Sequence, residues 1–149
     1  MALTTFVPSL TVSNIERSIR FYEDALGFVV TFAMPGPDGA PVHAGLENGT
    51  ASLMLGVPMT ESAPLADRSS PGQGVNLYVG VAASDDIDAL FERAKRAGAT
   101  VVQEPTDEFW GDRDWSVADP DGYVITVGKQ MRIMSPDEMI EASKSLLPA

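Results

Sequence analysis

The chain of 149 residues contains no cysteine. Disulfides, thiol nucleophiles and thiolate metal sites are therefore excluded. A single histidine, His43, rules out a site built on several imidazoles within one copy. Basic residues are scarce: Lys+Arg number 10 against 21 Asp+Glu, a formal net charge of -11. That field repels a phosphate backbone, so nucleic acid is not an expected partner, while a cationic small molecule is drawn in. The same balance also serves solubility. No run approaches the ~18 apolar residues of a membrane span. Met1 to Phe6 lack the basic-then-apolar order of a secretion signal. A cytoplasmic location away from membranes is expected. No glycine-rich phosphate loop with a lysine is present, and no serine sits in a nucleophile elbow.

What is there reads as one domain, residues 1–149, made of two similar halves. The first unit, residues 6–57, opens with an extended stretch from Phe6 to Val12. Ser13 and Glu16 form a candidate capping box. Ile15, Ile19, Tyr22 and Leu26 recur at helical spacing, and Gly27 stops the helix. Phe28 to Ala33 is strand-like, Pro35 to Pro41 reverses the chain, and Val42–Glu47, Asn48-Gly49 and Ala51–Val57 read as a hairpin. Residues 58–74, with Ser69-Ser70-Pro71-Gly72, read as a linker. The second unit, residues 75–128, repeats the order. It has a strand at Val75–Val81 and acidic helix-start residues Asp85 and Asp86. Ile87, Leu90, Phe91 and Ala94 make an apolar stripe, and Gly98 is the stop. A strand follows from Thr100 to Gln103, then a hairpin of Asp112–Ala118 and Tyr123–Gly128 around Asp119-Pro120-Asp121-Gly122. In the tail, residues 129–149, Ser135-Pro136-Asp137-Glu138 carries an N-cap, a proline at N1 and a glutamate at N3, and Met139, Ile140 and Leu146 fall on the helix it starts. That helix either packs over a sheet edge or meets a partner subunit.

Several separated segments carry a family resemblance: Pro8 to Val12, Ser18 to Phe28, Phe109-Trp110-Gly111-Asp112-Arg113, and Asp119 to Tyr123. In this order, over residues 6 to 128, they resemble the vicinal oxygen chelate superfamily, which includes glyoxalase I, extradiol dioxygenases and bleomycin-resistance proteins. The resemblance implies an α+β fold in which two tandem β-α-β-β-β units form an open barrel-like cleft, here with a C-terminal helix added. It also implies where metal-dependent members hold their ligands: on the first and last strand of each unit, usually as His or Glu, with Gln in some. The matching positions here are Val7, Met54, Asn76 and Thr126. Valine has no donor, and a thioether is soft and suits Cu(I). Asn76 and Thr126 are neutral oxygen donors that do not balance a dication. The neighbours Pro8, Leu53, Leu55, Leu77 and Ile125 are poorer still. No metal and no cofactor is expected.

Counting alternately from those positions puts Ser9, Thr11, Ser52, Tyr78 and Val124 on the inward face. On the strand holding Trp115 and Val117, the opposite face holds Asp114 and Ser116. The candidate ligand-binding residues are Phe32, Ser52, Met54, Asn76, Tyr78, Trp110, Arg113, Trp115 and Thr126. Trp110 and Trp115 could stack a planar ligand beside the Asp112-Arg113 pair. Against this, Trp115 and Phe32 also suit the core, and Arg113 suits an ion pair. His43 reads as a half-exposed strand residue, and Asp119 and Asp121 as servants of their turn. Glu104, Asp107 and Glu108 form an acidic cluster, and Met34 to Pro41 is either a lid or a plain loop. No catalytic residue is assigned. The lining suits a metal-free binding protein that sequesters an aromatic or cationic antibiotic-like molecule. The resemblance adds a homodimer with clefts shared between subunits. The alternatives are a lyase, isomerase or dioxygenase of the glyoxalase type, with or without metal, and an accessory subunit docked through its tail helix.

Overall fold

The structure, a computed structural model, describes residues 1–2, 7–57 and 75–145. The expected linker at 58–74, the strand start at Phe6 and the tail residue Leu146 lie outside the described residues. The elements run β1 (Ser9–Thr11), α1 (Ile15–Leu26), β2 (Val29–Pro35), β3 (Pro41–Asn48), β4 (Ala51–Gly56), β5 (Asn76–Gly80), α2 (Ile87–Arg96), β6 (Thr100–Asp107), β7 (Asp112–Ala118), β8 (Val124–Gln130) and α3 (Pro136–Ser143). They form two four-stranded mixed sheets of identical pattern, β1-β4-β3-β2 and β5-β8-β7-β6. In each, the first strand lies parallel to the last and the other pairs are antiparallel. Neither sheet closes into a barrel, and the α+β order β-α-β-β-β occurs twice.

Register makes the two halves comparable residue by residue. Ser9 pairs with Met54, and Tyr78 pairs with Thr126. Alternation along the strands then sorts the faces. Leu10, Leu46, Leu53 and Leu55 are buried under α1, with Ile15, Tyr22 and Ala25 as its contribution. Trp115, Val117, Ile125 and Val127 are buried under α2, with Ile87, Phe91 and Ala94. One helix covers one face of each sheet, and the other face stays open.

The caps follow local chemistry. The helix α1 is capped by Asn14, whose side chain accepts from the Arg17 N–H at 3.0 Å. Ser13, the cap expected from sequence, is instead taken by a residue 108 positions away: its N–H and hydroxyl both donate to Asp121, at 3.1 and 2.5 Å. Gly27 ends α1 at φ 70°, a left-handed position that favours glycine. Asp86 caps α2 by accepting from the N–H groups of Asp88 and Ala89. The capping box of α3 forms as expected between Ser135 and Glu138. No residue of α3 is buried. The strand β6 runs on to Asp107, past the expected Gln103, with register shifts around Pro105 that an edge strand tolerates.

The two units are joined through the Asp119–Gly122 turn. The buried Asp119 carboxylate accepts the N–H groups of Asp121 and Tyr123 at 2.9 Å each and the Tyr22 hydroxyl at 2.8 Å. Asp121 takes Ser13 and the buried Ser18 hydroxyl, and the Tyr123 hydroxyl donates to the Thr11 carbonyl at 2.9 Å. This joint explains the buried face of α1, where Ser18 and Ala25 are buried while Ile19 and Leu26 are half-buried. Burial pushes the Asp119 carboxyl up from the usual carboxylate range, against the pull of the bonds it accepts from Tyr22 and the backbone. On the other side, Arg93 of α2 reaches the carbonyls of Asp24 and Glu23 at the end of α1, and Asn48 donates to the Leu26 carbonyl. Replacing Tyr22 by Phe leaves one buried Asp119 oxygen without its donor. The expected cost is about 1–3 kcal/mol in equilibrium urea unfolding, with Asp119→Ala costing more. An unchanged unfolding midpoint in Tyr22→Phe would contradict this account of the joint.

Candidate functional site: the open faces of the two sheets

The open face of the first sheet is built from the residues that alternate against Leu53 and Leu55. Pairing aligns Ser9, Met54, Gly45 and Phe32 in one row across β1, β4, β3 and β2. In the flanking rows Met34 pairs with His43, His43 with Gly56, and Ser52 with Glu47. Gly45 puts no side chain between Met54 and Phe32, so the floor there is shallow. Phe32 is 58% exposed and Met34 45%. Around Phe32, Met34 and Met54 the surface is apolar and polarisable, with soft thioethers beside a phenyl ring, and His43, Ser52 and Glu47 border it.

The equivalent face of the second sheet is polar. The corresponding row is Tyr78, Thr126, Ser116 and Gln103. The Thr126 hydroxyl donates to the Asn76 Oδ1 at 3.2 Å and lies 2.8 Å from the Ser116 hydroxyl. Gln103 Nε2 donates to both Asp114 Oδ1 (2.9 Å) and Glu108 Oε1 (3.0 Å). Tyr78 lies over Gly128, where a β-carbon would fall inside the phenol. From there its hydroxyl donates to Asp112 Oδ2 at 2.5 Å. Burial, then the bond to Asp112, pushes the Tyr78 phenol above its ordinary value, so it stays a donor. Asp114 is buried at 3%. Its carboxyl is pushed up to about 6, first by burial and then by the neighbouring Glu108, with Gln103 pulling the other way.

The sequence-derived candidates fall in two groups. Phe32, Ser52 and Met54 share the first open face; Asn76, Tyr78 and Thr126 share the second. The remaining three lie elsewhere. Trp115 is 1% exposed on the helix side of β7, its indole N–H donating to the Ile87 carbonyl at 3.0 Å and its ring tilted against Phe91. Arg113, on the same side, bridges Asp88 and Asp107 at 3.0 Å each. The bonds to Asp107 and Asp88 raise its pKa further. Trp110 is half-buried in the β6–β7 loop, edge-on to Phe109. That loop turns at Gly111 (φ 101°), whose carbonyl accepts the N–H groups of Met131 and Arg132 and ties down the tail. Not among those candidates were Gln103, Glu108, Asp112, Asp114 and Ser116. For Asp112, Asp114 and Ser116 the signal was present in the alternation of β7, opposite to Trp115 and Val117; Gln103 and Glu108 join them through the register shifts of β6.

Four positions were matched through the family resemblance to the ligand positions of metal-dependent members, and their side chains are poor donors for a divalent metal. Val7 offers hydrocarbon and Met54 a thioether, while the Asn76 amide and Thr126 hydroxyl are bonded to each other. Among the described residues, no group of three or more His, Cys, Asp or Glu is placed to hold an ion.

The sequence profile of the Glyoxalase/Bleomycin resistance protein/Dioxygenase superfamily matches residues 3–127. The chain belongs to this superfamily. A Mycobacterium tuberculosis protein of uncharacterized function is 38% identical over 141 residues, covering 93% of this chain and 81% of that protein. A bleomycin resistance protein of Geobacillus stearothermophilus is 29% identical over 142 residues, covering 85% and 96%. Among solved structures, TnmS3, an antibiotic binding protein from Streptomyces sp. CB03234, superimposes with a TM-score of 0.65 at 28% identity, covering 87% of this chain and 98% of that one. Among the described residues no helix is long and apolar enough to cross a membrane.

The raised Asp114 carboxyl has a signed consequence. The folded chain favours its protonated form, so the stability it adds is full below the ordinary carboxylate value of 3.8 and fades as pH rises through about 6. In Asp114→Asn the amide oxygen still accepts from Gln103 and nothing titrates. Thermal unfolding followed from pH 4 to 7.5 is expected to show a downward trend in the parent that is flatter in Asp114→Asn. Parallel curves would remove Asp114 as the titrating group.

Proposed function

We propose that this protein binds a small organic molecule with an aromatic body and a cationic group, and holds it unchanged, without metal or cofactor. The observation that carries the reading is the contrast between the two open faces. Phe32, Met34 and Met54 offer a surface for a planar apolar ring. Asp112 and Glu108, both half-buried, and the buried Asp114 put negative charge on the second face, which attracts a cation. The net charge of -11 favours the same ligand class. The names of the bleomycin resistance and antibiotic binding relatives lend support. We assign the working form to a cytoplasmic homodimer in which open faces of two copies meet across a cleft; exposed Val29, Phe32, Met34 and Tyr78 on those faces support it.

A second reading, a lyase, isomerase or dioxygenase of the glyoxalase type, has one observation in its favour. A buried carboxyl that titrates near 6 is suited to moving a proton.

Calorimetric titration against intercalating and glycopeptide-type antibiotics tests the binding reading. Micromolar affinity is expected for at least one cationic aromatic compound. Phe32→Ala and Asp114→Asn are each expected to weaken it about tenfold, the effect of losing roughly 1.4 kcal/mol. Asp114 gains its charge as pH rises through about 6, so affinity for the cation is expected to increase between pH 5 and 7.5. Absence of binding across the panel would overturn the reading. Protein incubated with Ni, Zn, Mn, Fe and Mg and then desalted is expected to retain close to no metal; about one equivalent per chain would transfer support to the enzyme.

A further inference from the structure

The two halves differ at a place where their shared register calls for a match. With Met54 equivalent to Thr126, and Ser9 to Tyr78, Ala51 stands where the second half has Tyr123, and Gly80 stands where the first half has Thr11. In the Asp119 joint the Tyr123 ring is buried, and its hydroxyl reaches across to the Thr11 carbonyl at 2.9 Å. That carbonyl lies on the free edge of β1, because the next residue, Val12, turns its N–H to Gly56 on β4. Val81 turns its N–H to Gly128 in the same manner, so alternation places the Gly80 carbonyl on the free edge of β5. A methyl group at Ala51 spans none of this distance.

In place of the missing ring the structure has a cavity of about 460 Å³ between the units. Ala51, Gly80, Val81, Leu90 and Trp115 line it, and Arg93, held by the carbonyls of Asp24 and Glu23, forms part of its wall. Leu90 thereby finds its reason. It is the one member of the expected α2 stripe left half-buried, and it faces this space. The volume lies within the usual range for small-molecule sites. The cavity is on the helix side of the sheets, whereas the open faces described above point the other way.

We propose that this cavity is a second binding site, for a small hydroxylated aromatic molecule of the phenol class. The ligand takes the place that the Tyr123 side chain takes in the other joint. Its ring lies among Ala51, Leu90 and Trp115, and its hydroxyl donates to the Gly80 carbonyl. Binding is non-covalent, and the gain comes from apolar area removed from water together with one hydrogen bond to a strand edge.

Phenol itself is the probe, added to the full chain and followed through amide and indole N–H resonances. Saturable shifts are expected at Val79 to Ala82 and at the Trp115 indole, by about 10 mM phenol, a concentration above a millimolar dissociation constant. Toluene, which has the ring without the donor, is expected to bind severalfold more weakly. The variant Ala51→Tyr supplies the ring from within. It is expected to unfold a few degrees higher than the parent and to lose the phenol shifts at those positions. Should Ala51→Tyr fail to fold, Ala51→Leu fills part of the space, and a severalfold weaker phenol affinity is expected of it. Shifts confined to Tyr78 and Thr126 on the open face, absence of shifts, or unaltered shifts in the folded Ala51 variants would overturn the proposal.

Discussion

Each four-stranded sheet of this protein has one helix to cover it. A helix of ten or twelve residues shields a single face, so α1 and α2 cover one side of their sheets and no helix covers the other, where Phe32 and Tyr78 are exposed while Asp114, Ser116 and Thr126 are buried by their neighbours. The rest of the molecule depends on that shortage. The apolar alternation of β3, β4, β7 and β8 serves the covered side, and the residues between are released from packing. Chemistry therefore accumulates where no helix reaches. The open faces hold Phe32, Met34 and Met54 in one half and Tyr78, Asp112, Asp114 and Thr126 in the other.

Duplication supplies two copies of this plan, and the copies have diverged by position. Met54 and Thr126 are equivalent by register, yet one is a soft apolar contact and the other the centre of a hydroxyl and amide network. Tyr123 and Ala51 are equivalent too, and their difference turns one joint into a filled contact and the other into a cavity. The fold tolerates both because the backbone pairings that define each sheet do not involve these side chains. Buried polar groups at the filled joint are satisfied in full, which a low-dielectric interior requires.

Much of the architecture was legible in the residues themselves. Asp112 to Ala118 is the strand that alternation indicated, the Ser135-Pro136 start of α3 forms its box, and Gly27 stops α1 with a positive φ. The local reading failed where a distant partner intervened. Ser13 has the chemistry of a cap and gives it to Asp121, leaving Asn14 to cap the helix. At the open faces, the family resemblance pointed to Met54, Asn76 and Thr126, and alternation from those positions added Ser52 and Tyr78. Trp115 and Arg113 attract notice as aromatic and cationic residues near a loop. Their parity along β7 is what sets them under α2, and Asp114 between them lies on the opposite face, buried against Gln103. Residue type points to chemistry, but in a strand parity decides which side receives it. The Gln103–Asp114–Glu108 contact rests on a register shift in β6 that no local pattern announces.

The joint at Asp119 also bears on how the chain is made. Tyr22 waits for a partner 97 positions downstream, and Ser13 for one 108 positions downstream. While a ribosome is still synthesising the second half, α1 and its sheet exist without the carboxylates that satisfy those hydroxyls. The nascent first half therefore carries wet polar groups on a surface that is later sealed. The bonds of Tyr22 and Ser13 form only once the Asp119–Gly122 turn is present, so the final packing of the early half depends on residues made after it.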